Sequence, residues 1–228
     1  MVLPTVEVYS DTSCPFAYLM VYRLRQVWPA YAGRLTLRWR ALSLEYINQR
    51  ATRKPVIEVE LALLQSVEPS LPVRPWTRPE WEWPVTAWPA FAALACAQAQ
   101  GADAGFAMSW ALRHGLYAEE RCPALRHELL AIAGAVATTT SLDLARFETD
   151  WDSGRYAGEV ITDSHRGWHE LRVPGSPTLV LPNGRQIAAP GLGTADIDEE
   201  RAIVRGYVPH AGDPLATICA VLDEALGG

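Results

Sequence analysis

Lysine is nearly missing from this chain: Lys54 is the only one, and the 20 basic residues are otherwise all arginine. Against them stand 26 acidic side chains, for a formal net charge of −6, which argues against a general nucleic-acid or anionic-membrane binder. Cysteine is scarce as well. Cys14, Cys96, Cys122 and Cys219 lie far apart, with no C-x-x-C and no Cys/His cluster at zinc spacing, so neither a disulfide scaffold nor a metal site is indicated. The start of the chain lacks a signal pattern, since Arg23 is its first positive charge and Pro4 and Glu7 interrupt Val2 to Tyr9; the expected location is cytoplasmic. The longest uncharged stretch, Trp83 to Ala102, holds Pro84, Pro89, Gln98 and Gln100 and is dominated by alanine. It reads as a buried helix, not a membrane span. No G-x-S-x-G elbow is present, and Gly191-Leu192-Gly193 falls short of a dinucleotide fingerprint.

What remains is a globular composition, 49% hydrophobic and 20% charged over 228 residues, enough for one large domain or two small ones. Val2 to Tyr9 alternates as a strand, Ser10-Asp11-Thr12-Ser13 is a polar turn, and Cys14-Pro15 opens a helical pattern that Pro29 and Gly33 close. Arg34 to Leu42 is a second strand, with Leu35, Leu37, Trp39 and Ala41 on one face. Glu58 to Val67 can form a short helix. Residues 69–89 are so rich in Pro and Trp that long regular elements are forbidden. This segment is an ordered loop, either anchored on the core by its tryptophans or lining a substrate groove as a lid. Helical segments follow: Ala87 to Gln100, Gly105 to His114, Pro123 to Ala137, Leu142 to Ser153 and Tyr156 to Leu171. Thr178 to Leu181 and Arg185 to Ala188, joined by Pro182-Asn183-Gly184, form a hairpin. Asp213 to Leu226 closes the chain as an amphipathic helix.

Cys14 stands where a strand meets a helix, with Pro15 in the first helical position. A sulfur there faces the free N–H groups of about Phe16 and Ala17 and the positive end of the helix dipole. A lowered thiol pKa is expected, with Ser13 either bonding the sulfur or capping the turn; a buried structural cysteine is the alternative.

The order of these elements, and Asp11-Thr12-Ser13-Cys14-Pro15-Phe16-Ala17-Tyr18-Leu19 in particular, resembles the FrnE-like, DsbA-like branch of thioredoxin-fold oxidoreductases. Leu37 to Leu42 looks like the family's second strand, and Val173-Pro174-Gly175-Ser176-Pro177-Thr178 like the loop that sets a cis-proline beside the active cysteine. The resemblance implies an α/β, thioredoxin-like fold over residues 1–50 and 168–228 with an inserted all-helical domain over 51–167. It also implies Cys14 as nucleophile, Ser13, Pro15, Phe16 and Ala17 as its near shell, and Ser176 and Pro177 as substrate-binding residues. Where the oxidoreductases carry C-x-x-C, this chain has Cys14-Pro15-Phe16-Ala17. Cys14 falls where the related kappa-class glutathione transferases and 2-hydroxychromene-2-carboxylate isomerases carry a serine.

Three readings follow. In the first, Cys14 works as a monothiol oxidoreductase on a protein or small-molecule disulfide or thiol, resolved by an external thiol or by Cys122. In the second, the protein is a glutathione-dependent transferase or isomerase in which Cys14 holds a bound thiolate; in the third, it is a silent binding module. No tightly bound cofactor is expected, with glutathione or another low-molecular-weight thiol as co-substrate, and neither nucleic acid nor membrane as partner. The oligomeric state stays open, a dimer included. Cys96 and Cys219 read as core residues. Cys122, before Pro123, repeats the Cys-Pro start; a loop position without function is the first reading, and a lowered pKa with a resolving role the alternative. His165 and His169 read as a solvated face without a third ligand. Arg50, Arg53 and Lys54 are loop charges or contacts for a ligand's carboxylates.

Overall fold

The computed structural model describes residues 3–227; Val2, placed in the first strand by its sequence, lies outside them. That strand, β1, is Thr5–Ser10, and the helix after it, α1, is Pro15–Val27, prolonged by a 3-10 turn at Trp28–Ala30. β2 is Thr36–Ala41. Its alternation puts Leu37 and Trp39 in the core, each no more than 3% exposed, and leaves Arg38 in solvent. α2, Leu44–Asn48, starts at Ser43, whose hydroxyl accepts the Tyr46 N–H.

The segment between β2 and the next strand is helical: α3 Lys54–Val67, α4 Trp88–Gln98, α5 Ala102–Ala118, α6 Arg126–Ala137, α7 Leu144–Asp152 and α8 Ala157–His165. After α8 the chain makes a wider π-helical turn over Arg166–Leu171 instead of the regular helix expected through Leu171. The close approach of Gly167 to Leu42 and Tyr9 accompanies it, since a Cβ there would lie 2.6 Å from the Leu42 side chain. Between α3 and α4 the Pro/Trp stretch has one 3-10 turn, Glu80–Glu82.

β3, Thr178–Val180, and β4, Gln186–Ala188, complete a four-stranded sheet of order β2-β1-β3-β4. β1 runs parallel to β2, with Val8 opposite Trp39, and antiparallel to β3, with Val8 opposite Leu179. A second hairpin, β5 Thr194–Asp198 and β6 Ile203–Val208, is paired only with itself and rests on α3. The chain ends in α9, Pro214–Gly227, which packs on α1. One hydrophobic cluster runs through all of this, from Val6 and Leu37 in the sheet to Leu112, Ile132 and Phe147 in the helical segment and Leu222 in α9.

Two half-buried charge clusters tie the elements together, one on the sheet and one at α1. Glu7 accepts bonds from Arg40 at 2.6 Å and from Arg166 at 2.9 Å, and Arg40 also reaches Asp163 at 3.0 Å. Burial alone would push the Glu7 carboxyl up, but the Arg166 and Arg40 guanidiniums outweigh it and hold it below its ordinary range. On the other side Arg23, 5% exposed, pairs with Glu68 and donates to the Gly191 carbonyl at 2.5 Å.

Gly191 is a position where the backbone dictates the residue. Its φ is +70°, and a Cβ would lie 2.6 Å from the Pro214 carbonyl oxygen. Neither the left-handed conformation nor the contact suits an L side chain. Gly191→Ala is expected to lower the free energy of unfolding by about 3 kcal/mol, read from the urea midpoint at constant slope. An unchanged midpoint would mean that the α9 junction moves freely.

Candidate functional site

The turn after β1 is held by its own aspartate. The Asp11 carboxylate accepts the Ser13 N–H and the Ser13 hydroxyl, both at 2.7 Å, and the Leu44 N–H at 2.8 Å. Its backbone N–H donates to Ser176 Oγ at 2.8 Å. One buried residue therefore fastens the Cys14 turn to the start of α2 and to the loop before β3. Beneath it Arg113, 0% exposed, donates to the Asp11 carbonyl at 3.0 Å, to Ser10 Oγ at 2.9 Å, and to the Ser109 carbonyl and hydroxyl one helical turn back. Tyr117, on the same helix, donates its hydroxyl to the Ser13 carbonyl.

Cys14 is the N-cap residue of α1, with extended backbone and Pro15 in the first helical position. Its Sγ donates to the Ser176 carbonyl at 3.5 Å, and the Ser176–Pro177 peptide bond is cis. Pro15, Ala17 and Pro177 are buried, and Phe16 and Ser176 half-buried. The predicted site residues thus meet at one point. Ser13 is the exception in its role, because its hydroxyl turns to Asp11 instead of the sulfur. Ala17 puts a methyl group where a second sulfur would stand, and its N–H faces Cys14 without closing a full capping bond.

The electrostatics of the sulfur reverse the expectation from the helix terminus. Cys14 is only 6% exposed, and burial pushes its thiol up to about 12. The Glu60 carboxylate raises it further, Asp11 adds to this, and the opposing Ala17 N–H and Ser176 contacts are the weaker influence. Cys14 rests as a thiol. The lowered pKa that was the alternative for Cys122 is not found: at 2% exposure burial raises it, although the Ala124 and Leu125 N–H groups face the sulfur. Cys96 is buried, Cys219 packs partly against the core, and all four cysteines are free.

Two spaces flank the turn. A crevice walled by Asp11, Thr12, Ser13, Glu45, Trp83 and Pro123 has about 20 Å³ of room, enough for a water molecule and too little for a substrate. Beyond Trp83 a groove of about 200 Å³ runs between α3 and the Pro/Trp loop, walled by Leu61, Trp76, Leu116 and Tyr117 with Glu58 and Arg74 at its sides. In the tryptophan loop Trp76 and Trp83 pack edge to face on each other and against the core, as the anchored reading expects, and both also line this groove.

Arg50, Arg53 and Lys54, read as loop charges or as contacts for a ligand's carboxylates, have partners within the protein. Lys54 pairs with Glu80 at 2.5 Å and Glu58 at 3.5 Å, Arg50 with Glu199 at 3.8 Å, and Arg53 donates to the Glu199 and Glu200 carbonyls. His165 lies beside His169 and pairs with Glu170 at 3.3 Å.

A model of the DSBA-like thioredoxin domain matches residues 5–200. The chain belongs to the DSBA-like thioredoxin domain family. Its fold is therefore α/β and thioredoxin-like, in a family of thiol–disulfide oxidoreductases and isomerases. Among solved structures it is similar to a Streptomyces coelicolor protein assigned as a DsbA oxidoreductase (TM-score 0.61, 20% identity, 98% of this chain and 90% of that one). It is also similar to the cytosolic disulfide reductase DsbM from Pseudomonas aeruginosa and to a 2-hydroxychromene-2-carboxylate isomerase. Each of these two has a TM-score of 0.56 and 20% identity, covering 80% of this chain and 87% of the other. At such identities the likeness is one of fold. Compared by sequence with curated proteins, the chain matches none. Among the described residues no helix is long and apolar enough to cross a membrane.

Sequence reasoning missed Arg113, Tyr117 and Glu60. The last left a signal: Glu60 falls on the stripe of Ile57, Leu61 and Leu64, where a charge is out of place. Burial, with Glu199 adding, pushes its carboxyl up to about 7. A carboxyl whose folded pKa lies above its ordinary 4.5 contributes stability that is fully present below pH 4.5 and is lost as pH rises through 7. Glu60→Gln is therefore expected to match the wild type near pH 4 and to exceed it by up to about 3 kcal/mol at pH 8, measured by urea unfolding. Equal stability at both values would place Glu60 in water.

Proposed function

We propose that the protein is a thiol–disulfide oxidoreductase that works through Cys14 as a single nucleophilic sulfur. The observation that carries the reading is the position of Cys14 Sγ at the head of α1, 3.5 Å from the carbonyl of Ser176 and next to Pro177. A sulfur so placed is set beside the loop against which an extended substrate would lie, with Ser176 and Pro177 as its binding residues.

The cycle has two exchanges. The Cys14 thiol loses its proton to solvent and the thiolate attacks one sulfur of a substrate disulfide; the Cys14–S–S–R bond forms, the substrate S–S bond breaks, and the other half leaves as a thiolate. An external thiolate then attacks the substrate sulfur of the mixed disulfide, Cys14 leaves as thiolate and regains a proton, and a new disulfide departs. No second protein sulfur is needed, which suits the methyl group of Ala17. Low-molecular-weight thiols, glutathione among them, are the co-substrates; the DsbM structure similar to this one was determined with glutathione. The four free cysteines support a reducing, cytoplasmic setting.

One observation favours a second reading. Cys14 is a hydrogen-bond donor in its resting state, and a protonated thiol can hold the thiolate of a bound co-substrate. That is the task of a kappa-type transferase or a 2-hydroxychromene-2-carboxylate isomerase.

The two separate in one experiment. Reduced protein is exposed to excess bis(2-hydroxyethyl) disulfide at pH 8 and followed by intact mass, with Cys14→Ser beside it. A single adduct in the wild type and none in the variant is the expected result, with a rate that climbs from pH 7 to pH 9 because the thiol must first lose its proton. An adduct in both, or in neither, would rule out exchange at Cys14 and leave the transferase reading.

A further inference from the structure

Among the described residues Arg113 is the largest side chain that is fully enclosed, at 0% exposure. All four of its hydrogen bonds go to neutral oxygens: the Ser109 carbonyl at 2.8 Å and hydroxyl at 2.7 Å, the Ser10 hydroxyl at 2.9 Å and the Asp11 carbonyl at 3.0 Å. Its Nε has no partner among the described residues, and the guanidinium lies over the Trp39 ring, 5.7 Å from the centroid. The Asp11 carboxylate, on the same turn, is taken up by Ser13 and Leu44. Burial pushes the guanidinium down to about 10, with Asp11, Cys14 and Tyr117 acting against it, so it is charged at neutral pH. A buried cation without an ion pair is costly, and this one is tied to the place where such a charge has a task. The Asp11 carbonyl that accepts the Nη2–H of Arg113 also accepts the Cys14 N–H, at 3.4 Å. One oxygen atom thus links the guanidinium to the backbone of the nucleophile.

We propose that Arg113 is a positioning residue for exchange at Cys14, one that fixes the nucleophile's turn through the Asp11 carbonyl and whose buried positive charge supports the negative charge the sulfur carries as it attacks. The proposal deepens the exchange reading above, on which its catalytic meaning rests. Attack on a disulfide begins from a thiolate and stays anionic until the leaving sulfur departs. A cation already fixed in the interior stabilises that charge more than it would in water, and without having to move. The other titratable groups facing the sulfur are Glu60 on α3, Asp11 after β1 and Tyr117 on α5, none of them a cation. Arg113 opposes them from beneath the turn, and it comes from the helical segment inserted between β2 and β3.

The test measures alkylation of each cysteine by iodoacetamide at pH 8, resolved by peptide mass, in the wild type, Arg113→Lys and Arg113→Gln. Lysine keeps the charge and loses the planar fork, whereas glutamine keeps an amide donor and loses the charge. The Cys14 rate is expected to fall about tenfold in Arg113→Gln and to stay within about threefold of the wild type in Arg113→Lys. Cys96 and Cys122, both buried, are internal references whose rates should not change. A loosened fold would act in the opposite direction on a sulfur that is 6% exposed, speeding Cys14 together with Cys96 and Cys122. That result, or an equal loss in both variants, overturns the inference. Ser10→Ala keeps the guanidinium and removes one of its acceptors, so it decides the matter if Arg113→Gln does not fold. A Cys14 rate within about twofold of the wild type is expected there; a fall of about tenfold would make the hydrogen-bond frame responsible instead of the charge, and overturn the proposal. Iodoacetamide reports on the sulfur without any disulfide, so the two readings fail separately. A Cys14 rate indifferent to the Arg113 substitutions, in a protein that forms the bis(2-hydroxyethyl) disulfide adduct, overturns the role of Arg113 and leaves exchange standing. The expected alkylation pattern with no such adduct overturns exchange, while the coupling of Arg113 to the sulfur stands.

Discussion

The Asp11 carboxylate is the constraint on which the site depends. It is buried, and burial raises its pKa, yet three donors converge on it: the Ser13 N–H, the Ser13 hydroxyl and the Leu44 N–H. Those bonds fix the turn that ends β1, and so fix where α1 begins and where Cys14 points. The same residue's N–H holds Ser176 Oγ, so the loop carrying Pro177 is registered against the turn by a single side chain and its own backbone. Arg113 and Tyr117 hold the turn from below through its carbonyls. A buried polar group is stable only when its partners are supplied, and here the helical segment supplies them to the sheet's end. The helices inserted between β2 and β3 are thus part of the site's foundation.

That foundation sets the character of the sulfur. A helix N-terminus contributes roughly half a positive charge, and at an exposed position this would favour the thiolate. Cys14 is enclosed, its capping bond is incomplete, and its ionised neighbours Glu60 and Asp11 are negative. Desolvation of a charged sulfur outweighs the dipole, because the penalty grows with burial while the dipole's benefit falls away within the first turn.

The same contrast explains what could be read from the chain before its fold. β1, α1, β2 and the Asn183-Gly184 hairpin are local patterns of alternation, capping and turn chemistry, and each formed within a few residues of its expected bounds. That Cys14, Ala17, Ser176 and Pro177 come together was expected from the resemblance carried by the motifs around Cys14 and Pro177, and the fold brings them to one point. β5 and β6 were not legible. Thr194–Asp198 and Ile203–Val208 lie mostly at the surface, pair only with each other through a bulge, and follow no clean apolar alternation. Nor was the state of Cys14 legible, since it depends first on burial and then on the charge of Glu60, 46 positions away, and both arise only in the folded chain. Local chemistry predicted the location of the sulfur; its charge state is a property of tertiary burial.

One consequence of that burial concerns the second half of the cycle. A thiol held at a high pKa is a reluctant nucleophile and, by the same physics, a poor leaving group, since thiol–disulfide exchange expels the sulfur that better bears negative charge. A thiolate that meets a Cys14 mixed disulfide therefore tends to displace the substrate's sulfur in preference to Cys14. With Ala17 in place of a resolving cysteine, no internal attack bypasses this. Release of Cys14 then requires a proton to reach its sulfur as the bond breaks. That proton comes from solvent, as the one lost in the first exchange went to it. A monothiol site enclosed in this way holds its mixed disulfide longer than an exposed thiolate would.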